Sequence, residues 1–172
     1  MKIESINSQW LFNKAGFGVN PPLESGGFIR SGPGVSHPDI QFHFLKSLFA
    51  DHGRKPDTFD VFQVVIIIMT FGVIINFFQT NIVPLRSQSK GSIVLQSNDP
   101  RQHPIIDLNY CSHEDDLPVF RKGIRFAREI FSQEAFDEFR GEEIAPGSNL
   151  QTDSHLDAFV REGVSFIIEF VN

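Results

Sequence analysis

The stretch from Leu85 to Ile130 constrains the fold of this chain most, because it reads as a strand, a turn, a second strand and a helix in order. Ser92–Ser97 contains β-branched and apolar residues and stops at Asn98-Asp99-Pro100, a sequence that favours a turn. Ile105–Leu108 is a second short apolar segment. Ser112, with an acid three positions later, predicts the start of a helix. The apolar positions of that helix recur every three or four residues and share one face: Leu117, Phe120, Ile124, Ala127 and Phe131.

An alternating segment precedes this stretch at Pro38–Leu45. It places apolar side chains on one face and polar side chains on the other: Ile40, Phe42 and Phe44 against Gln41 and His43. This pattern predicts a half-buried strand of an antiparallel sheet. Leu150–Arg161 predicts a further amphipathic helix. We therefore predict an α+β fold, in which helices pack on one face of an antiparallel sheet.

The same segments resemble the glucose–methanol–choline (GMC) family of FAD-dependent oxidoreductases. The resemblance rests on many short matches in the family's order and not on any single one. They include Glu24–Ser31, Asp51–Arg54, Leu85-Arg86, Ser89-Lys90-Gly91, Asp99-Pro100, Pro104-x-Ile-Asp107, Asn109-Tyr110, Asp116-Leu117, Gly123-Ile-Arg125-x-x-Arg128-Glu129-Ile130 and Glu142–Gly147. The part of the family that they resemble is its C-terminal, substrate-binding domain.

The resemblance implies a substrate domain whose sheet covers the cavity over the flavin. Gln41 and His43 on the alternating strand, and His52 in a loop, are then the candidate substrate-lining residues. The alternative is that these side chains face solvent or make a local hydrogen bond. The implied enzyme is an FAD-dependent alcohol or choline dehydrogenase that acts on CH–OH donors, with a small alcohol as its substrate.

The resemblance is incomplete and divides the chain. Residues 1–23 are unmatched, residues 24–163 are a partial substrate domain interrupted at about 57–83 by an atypical apolar insert, and residues 164–172 are an unmatched tail. The G-x-G at Gly16 and Gly18 has Pro21 where a dinucleotide-binding fingerprint needs its third glycine. The family's H-P-V-G-T segment, which carries its catalytic histidine, is also missing. We therefore assign no catalytic and no cofactor-binding residue, and expect a partial enzyme that is inactive alone.

The insert contains the least polar run of the chain. No charge occurs between Asp60 and Arg86, and Val61–Phe78 is nearly all apolar. Length alone makes a membrane helix possible, and a small protein anchored through Val61–Val83 is one alternative. The β-branched residues of this run, and the polar residues distributed along it, favour a buried strand pair or a non-native insertion instead. We expect a cytoplasmic protein, with membrane association as the alternative.

Composition excludes several other classes. The net charge is −6 and no basic cluster occurs, so nucleic acid is not an expected partner. None of the six histidines pairs with another at a metal-ligand spacing, and we predict no metal site. Cys111 is the only cysteine, which excludes an internal disulfide. A non-catalytic binding protein on the same fold remains a further alternative.

Overall fold

The structure is a computed structural model, and it describes residues 12, 14, 23–45, 65–70 and 76–163. Within these ranges the chain forms six strands, two α-helices and a short 3₁₀ helix. They are β1 (Leu23–Ile29), β2 (Ile40–Leu45), β3 (Val65–Thr70), β4 (Asn76–Pro84), β5 (Ser92–Val94), β6 (Ile105–Asp107), α1 (Asp116–Phe131), the 3₁₀ helix (Glu134–Phe136) and α2 (Asp153–Gly163).

The main sheet has the strand order β1-β2-β4-β3, and all of its neighbours are antiparallel. β5 and β6 form a separate two-stranded sheet. Helix α1 packs on the main sheet, where Phe44 of β2 and Phe131 of α1 meet edge to face with ring centroids 5.9 Å apart. The predicted α+β fold, with helices on one face of an antiparallel sheet, is confirmed.

The core lies between that sheet face and the two helices. β2 alternates as its sequence predicts, with Ile40 and Phe42 buried and Gln41 and His43 partly exposed. The helices contribute the apolar stripes that their periodicity predicts. The buried core residues are Ile40, Phe42, Ile82, Cys111, Leu117, Ile124, Ala127, Phe131, Leu156 and Val160. Burying such side chains stabilises the fold by roughly 1.5–3 kcal/mol each.

The apolar run provides two paired strands. β3 pairs with β4 from Val65 opposite Asn81 to Thr70 opposite Asn76. β4 also pairs with β2 along six positions, so it is an interior strand of the main sheet. In the described part of the chain, no helix is both long and apolar enough to cross a membrane. The residues that flank this strand pair, 46–64 and 71–75, lie outside the described ranges.

Helix α1 begins later than its sequence predicts. The expected start was Ser112, with Asp115 as the matching acid of a capping box. The helix instead starts at Asp116, and Asp115 makes no side-chain capping bond. Asp116 itself accepts hydrogen bonds from residues 87–89, so a long-range contact determines where the helix begins.

The β5–β6 hairpin is shorter than the predicted Ser92–Ser97 strand, and it is exposed on both faces. Ile93 is opposite Ile106, and Val94 is opposite Ile105. All four side chains are more than half exposed. Gly91 is required here, because a Cβ at this position would lie 2.2 Å from the carbonyl oxygen of Asp107.

Gly123 lies inside α1, where glycine costs about 1 kcal/mol against alanine unless a neighbour packs closely. The structure supplies that neighbour, since a Cβ on Gly123 would lie 2.4 Å from Cγ2 of Ile82. We expect Gly123→Ala to lower the free energy of unfolding by about 2 kcal/mol, because the clash outweighs the gain in helix propensity. Urea denaturation followed by circular dichroism measures this change.

The same substitution should change sign when Ile82 is made small. In an Ile82→Ala background the contact is removed, and Gly123→Ala is then expected to stabilise the protein by up to about 1 kcal/mol. An equal loss in both backgrounds would show that the close contact with Ile82 is not what requires glycine.

Candidate functional site

The candidate site lies on the face of the main sheet that is turned away from the helices. The register of β2 places Gln41 opposite Val83 and His43 opposite Asn81. Directly paired residues of antiparallel strands project their side chains from the same face, with Cβ atoms about 5 Å apart. Gln41 and His43 are two positions apart on one strand, so both predicted residues lie on this face. The structure therefore brings two of the three predicted substrate-lining residues together.

The third predicted residue, His52, lies outside the described residues. Nothing in the structure tests whether any of the three contacts a substrate, so their role stays a prediction.

Two further polar residues share this face and were not assigned to it from the sequence. Gln79 pairs with Leu45, and Asn81 pairs with His43. They are 1% and 4% exposed, and Gln79 Nε2 donates a hydrogen bond to Asn81 Oδ1 over 2.8 Å. The sequence did not indicate Gln79 and Asn81 as site residues because they lie in the apolar insert. Their spacing of two positions could have indicated a shared face, since alternate residues of a strand project to the same side.

Thr80, between them, projects to the opposite, helix-covered face, because side chains alternate along a strand. It is fully buried, and in the described part of the chain its Oγ1 has no hydrogen-bond partner. The two faces of β4 therefore differ, with polar partners on one side and a packed core on the other.

The thiol of Cys111 lies outside this face and has a structural role. Burial raises the pKa of the Cys111 thiol, and the nearby Asp116 carboxylate adds to that rise. A thiol held protonated in the core is a poor nucleophile.

In the described residues, no group of three or more His, Cys, Asp or Glu side chains is placed to hold a metal ion.

The described residues do not fit the turn that holds a dinucleotide's phosphates. Such a turn joins a strand to a helix, whereas the consecutive glycines Gly26 and Gly27 lie inside strand β1. A Cβ on Gly26 would lie 2.6 Å from the carbonyl oxygen of Phe42. Glycine is therefore required there for close pairing of β1 with β2. We assign no residue of this chain to FAD.

Comparison with known proteins agrees with this architecture. Residues 87–169 match the family model described as GMC oxidoreductase. The mitochondrial choline dehydrogenase of Mus musculus is 47% identical over 156 residues, which are 91% of this chain and 24% of that protein. The oxygen-dependent choline dehydrogenase of Brucella ovis is 43% identical over 159 residues, which are 92% of this chain and 26% of that protein.

Solved structures show the same fold at lower identity. Formate oxidase of Aspergillus oryzae, whose FAD modification has been examined, matches with a TM-score of 0.69 at 21% identity, over 93% of this chain and 30% of that one. Pyridoxine 4-oxidase from Mesorbium loti matches with a TM-score of 0.60 at 17% identity, over 83% of this chain and 25% of that one.

The antiparallel sheet with its helix-covered face, together with the family match, places this chain in the GMC oxidoreductase family, as part of the C-terminal domain. Within that family it is choline dehydrogenase-like. The chain spans about a quarter of the length of these choline dehydrogenases. The GMC family is FAD-dependent, while no residue described here is shown to bind FAD.

Proposed function

We propose that this chain is a partial substrate domain, within residues 24–163, of an FAD-dependent GMC oxidoreductase of the alcohol or choline dehydrogenase type. The observation that carries the proposal is the polar row on the helix-free face of the sheet, where Gln41 and His43 lie beside Asn81. A few polar groups on a shaped surface are what orient a small hydroxylated ligand. The similarity to two choline dehydrogenases supports choline as the first alcohol to test.

Oxidation of an alcohol removes a hydride from the carbon and a proton from the hydroxyl oxygen. The flavin supplies the hydride acceptor when it is bound, and the protein supplies binding and orientation. In this proposal Gln41 and His43 orient the hydroxyl group through hydrogen bonds, and His52 is the third predicted substrate-lining residue. No residue of this chain is assigned as the proton acceptor. The chain by itself is therefore expected to bind the alcohol without oxidising it.

The test has a binding arm and a turnover arm. The ¹⁵N-labelled full chain is titrated with choline, and saturable shifts of the Gln41 and His43 amide signals are expected. His43→Leu should weaken choline binding by about three- to tenfold, the equivalent of one hydrogen bond. His155→Leu, at an exposed position on α2, is the matched control and should leave binding unchanged.

In the turnover arm, the purified chain is incubated with FAD, choline and an electron-accepting dye. We expect no flavin absorbance to remain with the protein after gel filtration, and no reduction of the dye. Choline-dependent dye reduction by the chain alone would contradict the proposed role as a partial substrate domain. If choline shifts neither the Gln41 nor the His43 amide signal, this face of the sheet is not the substrate-binding surface.

A further inference from the structure

The β5–β6 hairpin carries an apolar surface that the rest of the described fold leaves exposed. Ile93 is directly opposite Ile106, and Leu95 and Leu108, which follow the two strands, continue the same face by alternation. Three of these side chains are more than half exposed, and Leu108 is 41% exposed. Together they form the apolar hairpin face. Its exposed area is on the order of 500 Å², the size of the largest apolar patch of a typical monomer, and such patches are often functional.

The opposite face of the same hairpin is smaller and more polar. Val94 is opposite Ile105 on that side, and the neighbouring pair is Ser92 opposite Asp107. A carboxylate beside two aliphatic side chains favours contact with water over burial against a partner. The two faces of the hairpin therefore differ, and the apolar hairpin face is the one suited to docking.

Polar contacts hold this hairpin at its base and at its tip. At the base, Asn109 Nδ2 donates to the carbonyl oxygen of Lys90 over 2.9 Å. At the tip, the Arg101 amide donates to Asp99 Oδ1 over 3.0 Å, and the Gln102 amide donates to the carbonyl oxygen of Asp99 over 3.0 Å. A two-stranded sheet is only marginally stable by itself. The apolar hairpin face is therefore held in shape before it is covered, which lowers the entropic cost of docking.

The partner that this surface fits is the part of a GMC enzyme that lies outside the chain. The chain spans about a quarter of the length of the choline dehydrogenases that it matches, so about three-quarters of such an enzyme is available to cover it. The hairpin lies within residues 87–169, which match the family model, so its surface belongs to the shared domain. A second copy of the chain fits less well, because each copy has a net charge of −6 and two copies repel each other.

We propose that the apolar hairpin face is the surface on which this chain docks against an apolar surface of the remaining part of the oxidoreductase. Docking removes its four aliphatic side chains from water, and this burial supplies the binding energy. The inference rests on the partial domain proposed above. It does not require that the β2 face binds choline.

The experiment measures assembly of the two parts. The full chain, carrying an affinity tag, is co-expressed with the part of Mus musculus choline dehydrogenase that lies outside the match. Because both polypeptides are made in one cell, neither has to fold before it meets the other, and we expect them to co-elute in gel filtration. Ile93→Thr combined with Ile106→Thr keeps the β-branching that strands favour. This double variant should lower the recovered complex at least tenfold, because it places hydroxyl groups at the centre of the interface.

The opposite face of the hairpin supplies the matched control. Val94→Thr combined with Ile105→Thr makes similar changes on the same two strands and should leave the recovered complex within twofold of the wild type. In the chain alone, each double variant should unfold within about 3 °C of the wild type, because the four side chains are exposed. If Ile93→Thr with Ile106→Thr does not fold, Leu95→Ser, beyond the end of β5, takes its place.

Three results would overturn the inference. They are the absence of a complex with the wild-type chain, equal losses of complex from the two double variants, and a dimer of the chain alone that Ile93→Thr with Ile106→Thr dissociates in sedimentation velocity. The last of these would place a second copy on the apolar hairpin face. Choline binding at the β2 face is measured separately by the titration described above, so the proposed function can stand when this inference fails.

Discussion

Replacing Asp116 with alanine is expected to lower the free energy of unfolding by about 3 kcal/mol, because one buried carboxylate satisfies four donors. Asp116 is 3% exposed. It accepts hydrogen bonds from Ser87 Oγ at 2.7 Å, from the Gln88 amide at 2.8 Å, from the Ser89 amide at 3.2 Å and from Ser89 Oγ. Alanine removes the acceptor of all four and releases the 87–89 segment from the start of helix α1. Thermal and urea denaturation of the purified chain measure the loss.

The neighbouring acid provides the matched control. Asp115 makes no side-chain capping bond, and its side chain is 74% exposed. Asp115→Ala is expected to change stability by no more than about 0.5 kcal/mol. Equal losses for the two alanine variants would show that the Asp116 network contributes nothing specific.

The Asp116 network also predicts a dependence on pH. Burial by itself raises the pKa of this carboxyl, but the hydrogen bonds from Ser89, Ser87 and the Gln88 amide outweigh it and leave the pKa below its usual value. A group with a lowered pKa in the folded state stabilises the fold above its unfolded pKa of about 3.9, and this stabilisation is lost as the pH falls through the folded value. Below about pH 4, stability should therefore fall more steeply in the wild type than in Asp116→Asn.

Replacing Arg128 with methionine is expected to cost about 3 kcal/mol, because it leaves the largely buried carboxylate of Glu143 without its partner. Arg128 Nη2 donates to Glu143 Oε1 at 2.8 Å, and Arg128 Nε donates to Oε2 at 3.1 Å. The two side chains are 17% and 14% exposed. Arg128 Nη2 also donates to the carbonyl oxygen of Gly147 at 3.1 Å, so the pair attaches α1 to the segment that precedes α2.

Two comparisons separate the ion pair from loss of an arginine in general. Arg125→Met, one turn earlier in α1, removes the more exposed pair with Asp153 and should cost less than about 1 kcal/mol. The double variant Arg128→Met with Glu143→Leu should recover at least half of the loss, because neither charge then remains buried and unpaired. A double variant as unstable as the sum of the two single variants would refute this account of Arg128.

Periodicity along the chain predicted the kind of two elements, β2 and α1. The alternation of Ile40 and Phe42 with Gln41 and His43 predicted β2 and both of its faces correctly. The apolar stripe from Leu117 to Phe131 predicted the buried face of α1. These patterns are readable from a short stretch because each reports only which side of one element meets the core.

Contacts between distant residues could not be obtained in this way. The start of α1 at Asp116 depends on donors 27 to 29 residues earlier in the chain, and the need for glycine at Gly123 depends on Ile82. Asn81 looked like part of an apolar insert until the register of β4 placed it opposite His43. Local propensity identifies strands and helices. Strand register and core packing depend instead on which apolar surfaces are buried against each other, and these surfaces come into contact only in the folded chain.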